Sequence, residues 1–321
     1  MNPHVGLSAQ PRTRLGTFPT PLHPAPRLSV ELGVEVWFKR DDLTGLGLGG
    51  NKVRALEYVL GDAERVGADT LVTGGGPASN WAMLAALAAR TRGLDAVLVM
   101  YGDPVPATGN LALAELAGAR VVFTGDTDRT SVDRGVADEA AKLVVDGRRP
   151  YSLGRGGATP VGALGYVAGT LELVGQLHER ALEPATVWTA TGSCGTQSGL
   201  VAGASWLRPG YRVVGVSVSR PVEECTARIA DTAAGACALI GAPAPVELPE
   251  VRGDQLGAYG RRSDSGADAA RLVARTEGVF LDPVFAAKAM AGLISAAADS
   301  RVEGPVIFLV TGGAPTLFFA K

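Results

Sequence analysis

The stretch from Thr186 to Leu200, TVWTATGSCGTQSGL, predicts a strand, a loop and the start of a helix, in that order. Its first six residues are rich in β-branched and aromatic side chains, which favour strands. The small residues that follow predict a loop, and Gly195 or Thr196 can open a helix that runs to Leu207, just before a proline. This order of elements is typical of β-α units around a sheet of parallel strands.

The same alternation recurs along the chain. Further strands are predicted at Thr70–Thr73, Ala96–Tyr101, Arg120–Thr124, Arg212–Val218 and Val306–Thr311. Helical patterns lie between them, including Trp81–Arg92, for which Ser79 or Asn80 is a natural N-cap. The strands form two groups separated by a predicted helix, Pro160–Ala181, which indicates an α/β fold of two lobes. The cleft between two such lobes is a common place for a small-molecule site.

Composition and charge predict a folded protein without a preference for polyanions. Of the 321 residues, 46% are apolar and 19% are charged, which excludes a disordered chain and a coiled coil. The net charge of -2 at pH 7 provides no basic field for a nucleic acid or an anionic membrane surface. We therefore expect no nucleic-acid partner.

Targeting and redox features favour the cytoplasm. No apolar stretch approaches the ~20 residues that span a bilayer, and the amino terminus lacks the apolar core of a secretory signal. Cys194, Cys225 and Cys237 form no C-x-x-C pair, and their odd number argues against a disulfide framework. These features predict a cytoplasmic protein with reduced thiols and no membrane segment.

Lys52 follows a glycine-rich stretch, Gly45 to Asn51, and stands at the predicted start of a helix. Glycines let the backbone come close to a ligand, and a helix amino end favours a neutral amine beside an anion. Lys52 is therefore a candidate amine nucleophile, such as a Schiff-base lysine. The alternative is an exposed lysine at a helix start, after a flexible loop.

Three further loops follow predicted strands with small or polar residues. The loop Thr191–Thr196 has the geometry of an anion cradle, in which backbone N–H groups and a helix dipole hold a phosphate; a plain tight turn is the alternative. It matches neither a dinucleotide-binding motif nor a Walker A motif. The loop Thr73–Asn80 places Ser79 and Asn80 at a helix start, where ordinary capping is the alternative. Thr311 brings a hydroxyl to the carboxyl edge of the sheet.

Metal and triad chemistry find little support in the sequence. His4, His23 and His178 lie far apart, and none has cysteines or carboxylates at ligand spacing. No G-x-S-x-G motif is present. We therefore expect neither a metal site nor a serine hydrolase.

Taken in order, these loops resemble those of a known group of enzymes. The segments are Gly49-Gly50-Asn51-Lys52, Ser79-Asn80, Gly192-Ser193-Cys194-Gly195-Thr196 and Thr311-Gly312-Gly313. They are similar to the pyridoxal-phosphate enzymes of the tryptophan synthase β fold, in the branch of D-cysteine desulfhydrase and 1-aminocyclopropane-1-carboxylate deaminase. Further similar segments, spread over nearly the whole chain, are Pro19-Thr20-Pro21-Leu22, Phe38–Asp42, Gly162–Tyr166, Leu281–Phe285 and Lys288–Leu293.

The resemblance implies an α/β fold of two domains, each an open twisted sheet with helices on both faces. The large, cofactor-binding domain would comprise residues 1–54 and 166–321, and the small domain residues 55–165. A homodimer that acts on a small amino acid is also implied. Pyridoxal phosphate would be held by Lys52, Asn80, Thr191, Gly192, Ser193, Cys194, Gly195, Thr196 and Thr311.

The resemblance also implies a role for each of these residues. Lys52 would form a Schiff base with the cofactor aldehyde, and Asn80 would hydrogen-bond the ring hydroxyl. The loop 192–196 would hold the phosphate, and Thr311 would face the pyridine nitrogen. Lys52, Ser79 and Tyr259 would be catalytic, with the last two as carboxylate binder or acid/base groups. The substrate pocket would be formed by Ser79, Asn80, Trp81, Tyr259 and Phe285.

Three residues depart from the pattern of that branch. Trp81 stands where the desulfhydrases have His and the deaminases have Gln. Phe285 replaces a Tyr found in both groups, and Ala286 replaces the Glu that partners the pyridine nitrogen in the deaminases. We therefore expect a reshaped pocket and a substrate other than D-cysteine or aminocyclopropane carboxylate.

The sequence thus predicts a pyridoxal-phosphate-dependent lyase or deaminase that acts by α,β-elimination and yields a keto acid and ammonia. A β- or γ-replacement synthase in specialised biosynthesis is the first alternative, because a drier pocket would let a second substrate compete with water. A non-catalytic homologue that binds pyridoxal phosphate or another metabolite is the second. The presence of Lys52 argues against that last reading.

Overall fold

The structure is a computed structural model that describes residues 3–319. Within these residues the strands are β1 (Leu22–Pro24), β2 (Val36–Arg40), β3 (Thr70–Gly75), β4 (Asp95–Met100), β5 (Arg120–Phe123), β6 (Pro150–Ser152), β7 (Thr186–Thr191), β8 (Arg212–Ser217), β9 (Glu250–Arg252) and β10 (Val306–Val310). The helices are α1 (Pro3–Ser8), α2 (Pro26–Leu32), α3 (Lys52–Arg65), α4 (Asn80–Thr91), α5 (Gly109–Leu116), α6 (Ser131–Val145), α7 (Pro160–Glu179), α8 (Gly195–Leu207), α9 (Val222–Ile240), α10 (Asp264–Glu277), α11 (Ala286–Ala298) and α12 (Pro315–Phe319). No helix of the described chain has the length and hydrophobicity that crossing a bilayer requires.

The strands form two sheets. The larger sheet has the order β1-β2-β10-β7-β8-β9, in which β1 pairs antiparallel with β2 and the other pairs are parallel. The smaller sheet has the order β5-β4-β3-β6 and is parallel throughout. The predicted α/β class and the predicted grouping of strands are confirmed.

The structure contains every strand predicted from the sequence, with ends that differ by at most two residues. The sequence patterns do not predict β1, β6 and β9, which have three residues each and are too short for a periodic signal. They also miss β2, which ends in Lys39 and Arg40. Lys39 is only 3% exposed, because β2 lies between β1 and β10.

Each sheet has its own apolar core. In the larger sheet, Phe38 and Phe308 pack with Met290 of α11 and are fully buried. In the smaller sheet, Leu71 and Leu98 pack with α3 and α4. At the carboxyl ends of the parallel strands the chain continues into loops, and ligands of α/β proteins bind at such ends.

The predicted domain boundaries fall inside two helices. Residues 54 and 55 lie in α3, and residues 165 and 166 lie in α7. The two helices touch there, because a Cβ on Gly165 would lie 2.2 Å from the carbonyl oxygen of Arg54. The division into residues 1–54 with 166–321, and 55–165, stays a prediction.

A buried ionic cluster fixes the first turn of α3. The Arg54 guanidinium donates to both carboxylate oxygens of Asp41, at 2.7 and 2.8 Å, and to Glu172 at 2.9 Å. Lys39 pairs with the same Glu172 carboxylate. Removing one partner would leave an uncompensated buried charge. The cluster therefore holds α3 against β2 and α7, and with α3 it holds Lys52.

Candidate active site

A cleft of about 890 Å³ opens where strands of both sheets end. Its walls come from the segments after β3, β7, β8 and β10 and from the start of α3. The carboxyl ends of parallel strands are the usual ligand sites of α/β folds. The predicted site residues found in these walls are Lys52, Ser79, Asn80, Trp81, Gly192, Ser193, Tyr259, Phe285 and Thr311.

Lys52 is the first residue of α3 and lines this cleft. The other lysines within residues 3–319 are engaged elsewhere: Lys39 with Glu172 and Gln176, Lys142 with Glu139, and Lys288 with the carbonyl of Val218. Burial lowers the pKa of Lys52 to about 8, and the nearby Asp282 carboxylate limits that shift. Lys52 can therefore present a neutral amine near physiological pH.

Two glycines, Gly49 and Gly312, bring backbone segments together close to Lys52. Gly49 has a φ of +72°, and a Cβ there would lie 2.0 Å from the carbonyl oxygen of Asp42. Gly312 has a φ of +84°, and its Cβ would lie 2.6 Å from the Cα of Gly50. Only glycine combines these dihedral angles with such close contacts. The loop before α3 therefore packs directly on the loop after β10.

The sequence predicts an anion cradle in the loop between β7 and α8. No side chain caps α8, which begins at Gly195, so its first N–H groups have no partner within the helix. A second, small pocket, the α8 pocket, is lined by Asn51, Lys52, Ser193, Gly195, Thr196 and residues 156–158, among others. Asn51 Nδ2 donates to Thr196 Oγ1 at 2.9 Å. The pocket thus combines N–H groups, an amide and hydroxyls around one small space.

Two predicted cofactor residues have side chains that are engaged behind this loop. Thr191 is 1% exposed, and its Oγ1 donates to Gln197 Oε1 at 2.5 Å. Cys194 adopts a φ of +77° and packs on Cys225 and Ile229. Neither Thr191 nor Cys194 is among the residues that line the cleft or the α8 pocket, so their contacts with the cofactor stay predictions.

Ser79 and Asn80 stand at the start of α4, as predicted. Ser79 Oγ accepts the N–H of Ala82 at 3.2 Å, which makes Ser79 the N-cap. Asn110 Nδ2 donates to Asn80 Oδ1 at 2.8 Å. This contact leaves Asn80 Nδ2 facing Gly313, since a Cβ added to Gly313 would lie 2.9 Å from that nitrogen. The amide N–H of Asn80 can therefore donate to an oxygen of a ligand in the cleft.

The two aromatic departures lie in different parts of the wall. Trp81 is 2% exposed, and its Nε1 donates to Thr73 Oγ1 at 2.9 Å. Its ring packs on Gly157, where a Cβ would lie 2.0 Å from the ring. Phe285 is half-buried and its ring contacts Gly192. Trp81 is thus a fixed wall, whereas part of the Phe285 ring is open to the cleft.

Sequence reasoning missed four charged side chains of the cleft: Arg129, Arg155, Arg220 and Asp282. Asp282 accepts the backbone N–H groups of Val284, Phe285 and Ala286 at 2.7–3.1 Å, where α11 begins. Burial raises the pKa of Asp282 to about 6. Aspartate is a common capping residue at helix starts, and the alanine-rich segment that follows Asp282 could have singled it out. The arginines lie in loops and give no periodic signal.

The family model for pyridoxal-phosphate dependent enzymes matches residues 13–312. The chain belongs to this family. A Pyrococcus abyssi (strain GE5 / Orsay) protein, provisionally assigned as a 1-aminocyclopropane-1-carboxylate deaminase, is 40% identical over 99% of this chain and 97% of its own. A D-cysteine desulfhydrase of Salmonella typhi is 39% identical over 97% of both chains. The crystal structure of an ACC deaminase homologue matches with a TM-score of 0.91 and 37% identity, over 98% of this chain and 95% of that chain.

These matches confirm the predicted family, cofactor and class. The chain is a pyridoxal-phosphate-dependent enzyme with deaminase and desulfhydrase relatives, consistent with a lyase or deaminase. The tryptophan synthase β type of fold is confirmed as well. The roles of individual residues stay predictions.

The residues of the cleft fit pyridoxal phosphate. Lys52 offers an amine for the aldehyde, and the α8 pocket offers uncapped N–H groups for the phosphate. Asn80 turns an amide donor toward the cleft, and Thr311 adds a hydroxyl directly after β10. We expect these groups to hold the aldehyde, phosphate, ring hydroxyl and ring nitrogen.

Replacing Thr196 with valine should weaken retention of pyridoxal phosphate about 10- to 100-fold. The substitution removes a hydroxyl of the α8 pocket and the acceptor of Asn51, and hydrogen bonds to a charged group contribute about 1.5–3 kcal/mol each. Equilibrium dialysis of the cofactor measures the change. Thr226→Val, which removes a hydroxyl bonded to Val222 in α9, is the matched control. Equal affinity in the two variants would place the phosphate elsewhere.

Lys52 in the apoenzyme should react as an amine with a pKa of about 8. Below that pH its acetylation by acetic anhydride should fall about tenfold per pH unit, because only the neutral amine reacts. Above it the rate should level off. Mass spectrometry of the peptide that contains Lys52 measures the acetylation rate at each pH. A short peptide added to the same sample, whose lysine has the ordinary pKa of about 10.4, serves as the reference. Coincident profiles would contradict the lowered pKa.

Proposed function

We propose that this protein releases ammonia from a small amino acid by α,β-elimination, and that its substrate differs from D-cysteine and from 1-aminocyclopropane-1-carboxylate. One observation carries the proposal: the Lys52 amine shares a single cleft with the hydroxyls of Ser79 and Tyr259. A base and two hydroxyls in one cleft are the kinds of group that proton abstraction and departure of a leaving group require.

Lys52 is the proposed base. When bound, pyridoxal phosphate supplies an electron sink for the pair left on the substrate Cα. With a pKa of about 8, Lys52 is partly neutral at physiological pH and can accept the Cα proton on Nζ. The β substituent then leaves with the electrons of its bond to Cβ, and water releases ammonia and the keto acid.

Tyr259 and Ser79 are the proposed donors. Burial raises the pKa of Tyr259, so its phenol stays protonated at neutral pH and can donate to the departing group. Ser79 Oγ already accepts the N–H of Ala82, which leaves its O–H free to donate to the substrate carboxylate. The two hydroxyls therefore have separate tasks.

The walls of the cleft support a changed substrate. Trp81 and Phe285 present carbon surface where the relatives' branch has polar groups, as its pattern implies. The oxygens of Asp282 accept three backbone N–H groups, and Ala286 is buried at 1% exposure. Thr311 thus brings a hydroxyl rather than a carboxylate to the expected position of the ring nitrogen. A ring nitrogen without an acid partner is a weaker electron sink, which suits elimination better than opening of a cyclopropane ring.

The experiment is a panel of β-substituted D- and L-amino acids incubated with the holoenzyme. We expect equal amounts of ammonia and 2-oxo acid from at least one of them, more than from D-cysteine or aminocyclopropane carboxylate. Absence of ammonia from the whole panel would overturn the proposal.

Replacement of the β substituent is the second candidate function. Phe285, Met83 and Leu84 line the cleft, and a dry pocket lets a second substrate compete with water. Adding thiols or amines to the same panel tests it, since replacement would form a new amino acid without releasing ammonia. The homodimer and the cytoplasmic location stay predictions.

A further inference from the structure

Three arginines from three segments line the cleft. Arg129 precedes α6, Arg155 stands in the turn after β6, and Arg220 follows β8. Burial lowers the pKa of Arg129, and repulsion from Arg155 and Arg220 adds to the shift. The three charges therefore lie close enough to act on one another, and we call them the arginine cluster.

Two members of the arginine cluster have acidic partners. Arg155 pairs with Asp133 at 3.5 Å. Arg220 pairs with Glu224, and its Nε donates to the carbonyl of Gly192 at 3.0 Å. The carboxylates that balance the charges of Arg155 and Arg220 therefore lie outside the cleft.

Arg129 has no acidic partner in the described part of the chain. Its Nε is buried without an acceptor, and its guanidinium lies 3.7 Å from the centre of the Tyr259 ring. A buried charged donor without a partner is costly, and such groups are normally paired. The Tyr259 ring holds the guanidinium in place by a cation–π contact but supplies no acceptor. The cleft therefore contains a fixed, unmatched positive charge.

The cofactor phosphate does not account for this charge. The α8 pocket provides the amide of Asn51, the hydroxyls of Ser193 and Thr196 and uncapped N–H groups, and no arginine is among the residues that line it. The arginine cluster lines the larger cleft instead. The proposed function already assigns the substrate α-carboxylate to Ser79. Arg129 is thus left for a further anionic group.

We propose, resting on the proposed function, that the substrate is an amino acid whose side chain carries a carboxylate, sulfonate or phosphate, and that Arg129 binds this group with Arg155 beside it. A planar guanidinium can donate two parallel hydrogen bonds to such an anion. Its position over Tyr259 places the anion next to the proposed proton donor.

Two near-isosteric pairs test the proposal, aspartate with asparagine and glutamate with glutamine, each as D and L forms. Dissociation constants come from titrations of the holoenzyme followed by the visible spectrum of the bound cofactor. We expect an acid to bind about tenfold or more tightly than its amide in one series. Arg129→Gln should abolish the preference and Arg129→Lys should keep part of it. The control Arg134→Gln, whose side chain is 74% exposed on α6, should keep it fully.

Three outcomes would overturn the proposal: equal binding of acid and amide by the unmodified protein, an unchanged preference in Arg129→Gln, or weaker cofactor retention in that variant, which would assign the charge to the phosphate. If the melting temperature shows that Arg129→Gln does not fold, the Arg129→Lys variant decides. Its preference for the acid over the amide is then measured at raised salt, and a preference equal to that of the unmodified protein counts against the proposal. Ammonia is measured separately with the panel of β-substituted amino acids, because aspartate, glutamate and their amides carry no β leaving group. Acid preference with no ammonia from that panel means that the proposed function fails, and ammonia from that panel without acid preference means that this inference fails.

Discussion

Replacing Lys52 with alanine should lower amino-acid turnover by about 10³-fold or more and abolish covalent attachment of the cofactor. A positioned base contributes about 10²–10⁴ in rate, and the same amine is the expected nucleophile for the cofactor aldehyde. Of the lysines within residues 3–319, Lys52 is the one that lines the cleft. Borohydride treatment of the unmodified protein should bleach its visible band, and peptide mass spectrometry should then find the reduced cofactor on Lys52.

Lys142→Ala is the matched control for this substitution. Its side chain is 69% exposed and pairs with Glu139 outside the cleft, so we expect less than a twofold change in turnover. Reduced cofactor found on Lys39 or Lys288 would refute the assignment. So would a Lys52→Ala protein that keeps a tenth of the activity.

The fold was predictable where the chain repeats one pattern. β7 and β8 are almost fully buried and rich in valine or threonine, because neighbouring strands and helices cover both their faces, and such β-branched runs can be recognised without the structure. β2 contains Lys39, a charged residue that would not be expected in a buried strand, and it can be recognised as a strand only when the pairing of Lys39 with Glu172 is known. That partner stands in α7, far along the chain. A buried charged residue therefore prevents a strand from being predicted by its hydrophobic pattern.

The same distinction separates the predicted and the missed parts of the site. Lys52 and the loop before α8 are short contiguous segments in which glycines precede a helix start, so the local sequence already indicates a ligand. Arg129 can be recognised as a candidate site residue only from its contact with the Tyr259 ring, and the amide of Asn80 is oriented by its hydrogen bond from Asn110. These partners lie far from each other in sequence. One chain without its structure cannot bring them together.

Trp81 shows what the structure adds to a prediction made from the sequence. The sequence predicts a large aromatic in the substrate pocket, and Trp81 does line the cleft. The structure adds that its N–H is bound to Thr73 and that its ring covers Gly157. Gly157 and Trp81 therefore fit together as a pair, and a change at Trp81 alters packing as well as specificity.

Turnover of D-cysteine and of aminocyclopropane carboxylate should be poor, and Phe285→Tyr combined with Trp81→His should raise pyruvate formation from D-cysteine by about 10²-fold or more. A positioned phenol or imidazole can contribute about 10²–10⁴ as an acid or base. The Phe285 ring is half-buried in the cleft wall, so a hydroxyl added to it can reach a substrate. Aminocyclopropane carboxylate should stay a poor substrate, because Ala286 supplies no acid.

Phe285→Tyr alone is the cleaner half of this test. Trp81→His removes buried surface that packs on Gly157, and large-to-small changes in a core cost about 3–5 kcal/mol at their extreme. Melting temperatures must therefore accompany the rates. Phe280→Tyr adds the same hydroxyl to a side chain that is 71% exposed and should leave the rate unchanged. If the unmodified protein desulfurates D-cysteine as fast as a dedicated desulfhydrase assayed beside it, Trp81 and Phe285 are neutral replacements, and the substrate is not set by these two walls.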